Sequence, residues 1–214
     1  MARKLLLLGG GGHCKSIIDS LFDKNEYDEI GIIEKQNNSC VPVLGIPVIG
    51  VDDDLKQFKH DGFTDAFISL GSIGNPLNRR KLFKLISSLG FSIPNIIDKS
   101  AVVSKSVVLG KGIYIGKNAL VNADAFLSDC SIINSSATIE HDCIIGEFVH
   151  ISPGAVLGGN VFIGQDSHIG AGSTIKQKVR IGENVMIGMG SVVLHDIPAN
   201  TVAYGCPCKV VRSV

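Results

Sequence analysis

The sequence predicts two domains of different classes, a small Rossmann-like α/β domain followed by a parallel β-helix. Two observations carry this prediction. Strand-like and helix-like segments alternate over residues 1–94, and from residue 95 onward a branched aliphatic recurs at every sixth position. A chain of 214 residues has the length for two such domains.

The first domain, residues 1–94, alternates short apolar strands with amphipathic helices. Strand, helix and strand again is the pattern of a parallel sheet with helices on its faces. In the last helix we expect Asn75 as the cap, Pro76 as the first residue and Gly90 as the stop. The predicted elements are Lys4–Leu8, Ile30–Ile33 and Asp65–Leu70 as strands, Val43–Ile49 as an extended segment, and His13–Phe22, Asp52–Phe58 and the segment after Pro76 as helices.

The second domain, residues 95–214, carries seventeen consecutive six-residue repeats, with an aliphatic at each position from Ile97 to Val193. A small residue or valine usually stands two positions before this aliphatic, and glycine often follows it. Period six fits neither a helix nor a hairpin, and it is the pattern of a β-helix. Three repeats make one triangular coil, so each aliphatic is expected to point into an interior that only stacked coils can bury.

Composition narrows the possible partners and the compartment. Twenty basic residues balance twenty acidic ones, so there is no charge pattern for nucleic acid or an anionic membrane. No apolar run approaches the ~20 residues of a membrane span. The six cysteines lack metal-type spacing, which predicts reduced thiols in a cytoplasmic protein.

Coil arithmetic places His141 at a corner, two positions after an inward-pointing isoleucine. One coil later, the same corner carries Gly159, which has no side chain, so an open shelf is expected beside the imidazole. The flanking acids Glu140 and Asp142 favour a general base, because a carboxylate can fix the tautomer of a histidine and keep it basic. The alternative is a solvated corner histidine with no role.

His150 and His168 are also one coil apart, and each immediately precedes an inward isoleucine. We expect them to stack on an outward face of adjacent coils, with Met186 above them. They are either functional or simple surface imidazoles. Three converging ligands are not visible in the pattern, so no catalytic metal is predicted.

A glycine-rich segment, Gly9–Gly12, follows the first strand and opens a helix that begins near His13. Backbone N–H groups at a helix N-terminus bind phosphate or carboxylate. Glu34 and Gly71 end the next two predicted strands, on the same edge of the sheet, which is where ligands bind in open α/β sheets. The strict dinucleotide motif is absent because Cys14 replaces its third glycine. The alternative is a set of tight turns without a ligand.

Four segments resemble bacterial acetyltransferases that join a nucleotide-sugar-binding domain to a left-handed β-helix. They are GGGGHCKSIIDS (9–20), the hexads, IEHDCIIGEFVHISPGAVLGGNV (139–161) and YGCPCKVVR (204–212). The resemblance covers essentially the whole chain. Members of this family are nucleotide-4-amino-sugar N-acetyltransferases and sialic acid O-acetyltransferases.

The resemblance implies a left-handed helix, a homotrimer, and acetyl-CoA as the acetyl donor without a metal. It implies that His141 is the catalytic base and that Asp142 raises its basicity. His150 would contact acetyl-CoA, with backbone at Gly159, Ala171 and Met189 lining the pantetheine. In the N-terminal domain, Gly11, Gly12 and His13 match the part of the family that holds the nucleotide sugar. Some members have paired aspartates against the base, where this chain has Glu34-Lys35.

The expected activity is therefore transfer of acetyl from acetyl-CoA to the amine of a nucleotide-linked 4-amino-sugar. Three alternatives remain at this point. They are a sialic acid O-acetyltransferase with the same base, a serine O-acetyltransferase or other small-acceptor enzyme, and a non-catalytic or carbonic-anhydrase-like hexapeptide-repeat protein. The glycine-rich crevice argues against the last two, because it would then have no ligand.

Overall fold

The computed structural model describes residues 3–22, 26–35 and 41–214, which form two compact units. The N-terminal unit comprises the described residues of Met1–Ser72 together with Leu77–Ile96. The β-helix unit comprises Ile97–Val214 together with the short segment Ile73–Pro76. All seventeen positions of the six-residue repeat therefore belong to the second unit.

The N-terminal unit is a four-stranded sheet with helices, as the alternating pattern predicts. Its strands pair in parallel, in the order β3-β2-β1-β4. The elements are β1 (Lys4–Leu8), α1 (Gly12–Phe22), β2 (Glu29–Ile33), β3 (Val48–Gly50), a 3₁₀ turn (Asp52–Asp54), α2 (Leu55–His60), β4 (Asp65–Ile68) and α3 (Leu77–Ser88).

The central strand β1 is a run of leucines because both of its faces are buried. Leu5 to Leu8 are completely inaccessible to solvent, between β2 on one side and β4 on the other. Helix α1 buries one face at helical spacing, including Ile17, Ile18 and Leu21. Helix α3 ends two residues before Gly90, whose φ of 72° is a conformation that glycine adopts without strain.

The prediction of one extended segment over Val43–Ile49 is wrong in detail. Val43 and Ile46 form an isolated antiparallel bridge around a tight turn, and the strand starts only at Val48. The turn places Leu44 and Gly45 at φ of 48° and 84°. Leucine is not a typical turn residue, so the apolar segment around Leu44 predicts extended chain where the structure has a reversal.

The β-helix unit consists of two-residue strands, each ending on one of the aliphatics of the repeat. They are β5 (Ile96–Ile97), β6 (Val102–Val103), β7 (Val108–Leu109), β8 (Tyr114–Ile115), β9 (Leu120–Val121), β10 (Phe126–Leu127), β11 (Ile132–Ile133), β12 (Thr138–Ile139), β13 (Ile144–Ile145), β14 (His150–Ile151), β15 (Val156–Leu157), β16 (Phe162–Ile163), β17 (His168–Ile169), β18 (Thr174–Ile175), β19 (Arg180–Ile181), β20 (Met186–Ile187) and β21 (Val192–Val193).

Strands of the second unit pair in parallel with the strand three repeats later, which gives three sheets and the predicted coil. Phe126 pairs with Ile144, for example, and His150 with His168. The inward aliphatics from Ile115 onward are buried to within 1% of full burial. Those of the first coil are half-buried, because no complete coil covers them on one side.

A residue with left-handed backbone follows each inward aliphatic by three positions, from Gly112 to Gly190. Asn, Asp and Gly predominate at these turns because they tolerate positive φ better than other residues do. The recurrent glycine directly after the aliphatic has a different cause. A Cβ at Gly158 would lie 2.7 Å from the backbone nitrogen of Gln177 on the next coil, so close approach of the coils requires glycine there.

The chain ends in a hairpin that the repeat does not predict. Strand β22 (Thr201–Gly205) pairs in parallel with β20, and β23 (Cys208–Ser213) returns antiparallel to β22. Within the described ranges, no helix combines the length and the apolar character needed to cross a membrane. The cysteines at 14, 130, 143, 206 and 208 are free thiols.

Candidate active site

His141 stands in the turn between β12 and β13, at the corner where the coil arithmetic places it. The turn is tied to the coils on both sides, because Asp142 N donates to Ala123 O and Asn160 N donates to His141 O. Asp142 occupies the left-handed position, with φ of 61°. The backbone is therefore fixed, while the side chains of His141 and Asp142 are 62% and 52% exposed.

The His141 ring makes one close polar contact, to the carboxylate of the next residue. Nδ1 lies 2.7 Å from Asp142 Oδ2. This hydrogen bond, reinforced by the nearby negative charge, raises the pKa of His141 above its usual value of 6.5. When Nδ1 carries the proton and donates it to Asp142, Nε2 keeps its lone pair. The pair has the arrangement of a general base.

Gly159 lies directly against the free edge of that ring. A Cβ at this position would fall 2.6 Å from His141 Nε2 and 2.7 Å from Cε1, which is too close for any side chain. Residue 159 is one coil after residue 141, and Lys178 N donates to Gly159 O to continue the stack. The shelf beside the imidazole exists, and glycine is required to form it.

Asn122 is a neighbour of this corner that the sequence reasoning missed. Its Nδ2 donates to Glu140 Oε2 at 3.0 Å and holds that carboxylate beside the base. Glu140 also contributes to the raised pKa of His141, as the weakest of the three favourable influences. The signal was available in the sequence, because Asn122 precedes Glu140 by one coil.

His150 lies on β14 and is 8% exposed, so the alternative of a simple surface imidazole is wrong. Its Nε2 lies 3.2 Å from Asn134 Nδ2. The orientation of the Asn134 amide is set by the backbone N–H of Ser135, which donates to Asn134 Oδ1 at 2.8 Å. An amide nitrogen only donates, so His150 Nε2 accepts and the ring proton lies on Nδ1.

His168 stacks on His150 from the adjacent coil, as the spacing of three repeats predicts. It too is buried, at 7% exposure, rather than lying on an open face. The outward direction of this column was predicted correctly, but its exposure was not. A six-residue period shows which side chains point outward from the β-helix, but it does not show whether other residues cover those side chains.

Gly159, Ala171 and Met189 do not share one corner of a single chain. Ala171 and Met189 occupy the same corner on consecutive coils, where Gly190 N donates to Ala171 O. Met189 is 79% exposed there. Gly159 belongs to the corner of His141. Within one chain the structure therefore brings Gly159 to His141 and leaves Ala171 and Met189 elsewhere.

In the N-terminal unit, the first two positions of the Gly9–Gly12 segment are more crowded than the last two. Gly9 has φ of 107°, and a Cβ there would meet the Leu70 side chain at 2.5 Å. A Cβ at Gly10 would lie 3.1 Å from Glu34 Oε2. Gly11 and Gly12 face open space instead. Helix α1 starts at Gly12, so this open space borders the first turn, where backbone N–H groups have no partner within the helix.

His13 and Gly71 come together as predicted. The Cβ of His13 would lie 3.3 Å from a side chain at position 71, so glycine leaves space for the ring. Burial and then the positive charge of Arg79 lower the pKa of His13 to about 4. A neutral His13 at the start of α1 can donate or accept a hydrogen bond without carrying charge.

Glu34 separates two clefts at the carboxyl edge of the sheet. Its Oε2 accepts a hydrogen bond from Gly10 N at 2.7 Å, and its Oε1 accepts one from Lys35 N at 2.9 Å. One cleft, of about 260 Å³, is lined by Gly9, Ile33, Glu34, Lys35, Asp52, Leu70, Asn78, Lys81 and Leu82. The other, of about 470 Å³, is lined by Gly10, Gly11, Lys15, Glu34, Val41, Pro42, Val43, Leu44 and Val48.

Among residues 3–22, 26–35 and 41–214, no group of three His, Cys, Asp or Glu side chains is arranged to hold a metal ion. Nε2 of His150 lies beside the Asn134 amide, and Nε2 of His168 lies beside the Ser152 hydroxyl. Neither the amide nor the hydroxyl is a typical metal ligand.

Comparison with known protein families identifies both units. The PglD N-terminal domain family matches residues 4–86, and the bacterial transferase hexapeptide family, of six repeats, matches residues 160–195. A search of curated proteins gave no match.

Solved structures match over nearly the whole chain. A variant of perosamine N-acetyltransferase from Caulobacter crescentus, in complex with CoA and GDP-perosamine, is 35% identical, with a TM-score of 0.92 over 97% of this chain and 96% of that one. The acetyltransferase domain of PglB from Neisseria gonorrhoeae, in complex with acetyl coenzyme A, is 36% identical, with a TM-score of 0.92 over 99% and 100% of the two chains. WeeI from Acinetobacter baumannii shares the fold, with a TM-score of 0.86 at 23% identity over 98% and 100%. The chain therefore belongs to the family of acetyl-CoA-dependent hexapeptide-repeat acetyltransferases that carry a PglD N-terminal domain.

Proposed function

We propose that this protein transfers the acetyl group of acetyl-CoA to the amine of a nucleotide-linked 4-amino-sugar, with His141 as the general base. The observation that carries the proposal is the His141–Asp142 pair, whose free Nε2 lies against the shelf at Gly159. The relative from C. crescentus, which binds CoA and GDP-perosamine, supports an amino-sugar nucleotide as acceptor.

The acceptor binds at the glycine-rich edge of the N-terminal unit. The phosphates lie at the start of α1, where Gly11 and Gly12 leave open space in front of the helix N-terminus. His13, Glu34 and Gly71 surround the same edge and contact the sugar or the base. Neutral His13 acts as a hydrogen-bond partner rather than as a counter-ion, because its pKa is about 4.

Acetyl-CoA binds along a seam between two subunits of a homotrimer. Gly159 and His141 supply one side of the seam, while His150, Ala171 and Met189 of a neighbouring chain supply the other. A seam is needed because Gly159 and Ala171 stand at different corners of one prism. An exposed apolar stripe on adjacent strands, Val108, Phe126 and Ile144, supports association between chains.

The reaction is a direct transfer. The amine nitrogen attacks the thioester carbonyl carbon, and His141 Nε2 accepts the proton that the nitrogen loses. The carbon–sulfur bond then breaks, and the proton passes to the thiolate leaving group, so the base returns to its starting state. Backbone N–H groups near Gly159 hold the oxyanion that develops on the carbonyl oxygen. No covalent enzyme intermediate is required.

A panel of acceptors with acetyl-CoA tests this proposal directly. We expect acetylation of one or more 4-amino-sugar nucleotides carrying UDP, GDP, dTDP or CMP, and thermal stabilisation by the same compound when CoA is present. Acetylation of free sialic acids in preference to all amino-sugar nucleotides would contradict the proposal and favour the O-acetyltransferase alternative. Failure to acetylate any acceptor would contradict both.

A further inference from the structure

His168 has no part in the reaction described above, yet it is buried and lies against a proposed acetyl-CoA contact. The rings of His150 and His168 have centroids 5.0 Å apart and an interplanar angle of 89°, so one ring presents its edge to the face of the other. Strands β14 and β17 are paired neighbours, with these two residues in register. The contact is therefore set by the coil and does not depend on a loop.

The His168 ring is itself held in one place. Its Nε2 lies 3.2 Å from Ser152 Oγ, a residue of the same coil as His150. Its Nδ1 is buried, and no side chain or backbone group in the described part of the chain hydrogen-bonds to it. Burial lowers the pKa of His168 and so favours the neutral ring beside a second imidazole.

His150 is thus restrained in two independent ways. Asn134 accepts from Ser135 N and donates to His150 Nε2, which fixes the tautomer with the proton on Nδ1. The edge-to-face contact with His168 fixes the plane of the ring. A ring whose tautomer and plane are already fixed loses little further rotational freedom when it binds a ligand. Such a ring therefore binds more favourably than a mobile one.

We propose that His168 is a positioning residue of the acetyl-CoA site, which acts by holding the His150 ring in its binding orientation. This inference rests on the proposed function, because that proposal assigns His150 to acetyl-CoA. His168 itself does not touch the substrate in this account. Its aromatic ring is what matters, and its ability to titrate is not used.

Three variants of the full-length protein test the role of His168. His168→Ala removes the ring, His168→Phe keeps an aromatic ring in the same place, and Met186→Ala is a control in register with His168 on the far side from His150. We expect His168→Ala to lower kcat/KM for acetyl-CoA about tenfold or more, with KM for the sugar nucleotide unchanged. His168→Phe should recover most of this loss, and Met186→Ala should behave as wild type.

A spectroscopic measurement tests the same point without any acceptor. In ¹⁵N-histidine-labelled protein, the imidazole nitrogens of His150 should report a single Nδ1–H tautomer in wild type and His168→Phe. In His168→Ala the tautomer should persist, because Asn134 still holds it, but the His150 ring signals should broaden as the ring exchanges between orientations. If His168→Ala leaves both the His150 signals and the acetyl-CoA kinetics unchanged, the inference is wrong. A wild-type protein that transfers no acetyl group would instead defeat the proposed function, while the spectra would still decide whether His168 orders His150.

Discussion

At the scale of single residues, the basicity of His141 depends mainly on one neighbour, Asp142, whose identity the fold restricts. Position 142 has left-handed backbone, which favours Asn, Asp or Gly. Of these three, only aspartate supplies a charge. Its carboxylate lies 2.7 Å from Nδ1 and raises the pKa of His141. Aspartate at position 142 therefore suits the left-handed backbone of the turn and also supplies the negative charge beside His141.

Replacement of Asp142 by asparagine separates these two requirements, because asparagine keeps the turn and removes the charge. The base must be unprotonated to act, so wild-type activity falls as pH drops through the raised pKa of His141. Without the carboxylate that pKa falls, and the acid limb of the kcat profile moves to lower pH. We also expect kcat at its plateau to fall about tenfold or more, since the tautomer is no longer enforced.

Asp124→Asn is the matched control for this measurement. Asp124 occupies the same left-handed position one coil earlier, with φ of 59°, and Ser106 Oγ accepts a hydrogen bond from its backbone N–H. This variant should keep the wild-type pH profile. An Asp142→Asn profile that coincides with wild type in both its acid limb and its plateau would remove Asp142 from the mechanism.

At the scale of the strand and turn, glycine is needed at two adjacent positions, 158 and 159, for different reasons. Gly158 is glycine because the backbone of Gln177 on the next coil approaches it, whereas Gly159 is glycine because the His141 ring lies against it. Ala171 occupies the corner position equivalent to Gly159 in another sheet, which shows that the coil itself accepts a methyl group there.

Alanine substitutions at these two glycines should therefore give opposite results. Gly159→Ala forces the His141 ring away from its place, so turnover should fall at least tenfold with little change in stability. Gly158→Ala forces two coils apart and should lower the free energy of unfolding by about 1–3 kcal/mol. Turnover per folded molecule and chemical denaturation measure the two effects. Loss of stability without loss of turnover in Gly159→Ala would contradict the contact with His141.

The elements themselves were largely predictable from the sequence, because the repeat and the strand–helix alternation reflect burial directly. Every strand from Ile97 to Val193 ends on a residue of the predicted column. The turn at Leu44 was not predictable, because leucine rarely adopts the left-handed backbone that this turn contains. The terminal hairpin from Thr201 was not predictable, because it lies beyond the last six-residue repeat. The burial of His150 and His168 was missed because a six-residue period distinguishes inward from outward positions but not covered from open ones.

At the scale of the whole molecule, our proposal requires two chains to complete one acetyl-CoA site. Coil arithmetic placed His141 and Gly159 at one corner, whereas Ala171 was named only through the family resemblance and lies at a different corner. In our proposal a second chain brings the two corners together, and the apolar stripe of Val108, Phe126 and Ile144 is the surface that supports this association. The six-residue period describes a single β-helix, so it does not predict contacts between chains.

A charge placed in the stripe should separate the subunits. Ile144 is 46% exposed on the outside of β13, so Ile144→Asp should not disturb the core of its own chain. We expect this variant to sediment as a smaller species and to lose acetyl transfer, because burial of an unpaired carboxylate in an interface is costly. Thr174→Asp, at an exposed position of another sheet, should keep the wild-type size. A trimeric and active Ile144→Asp protein would exclude the stripe as the interface.

The most direct test of the account is the rate of acetyl transfer by His141→Ala, compared with wild type on the preferred amino-sugar nucleotide. Because the side chain is 62% exposed, its removal should leave the assembly and the melting temperature unchanged. With the base absent, we predict that kcat falls at least about a hundredfold. A folded, assembled His141→Ala protein that turns over at nearly the wild-type rate would contradict the account.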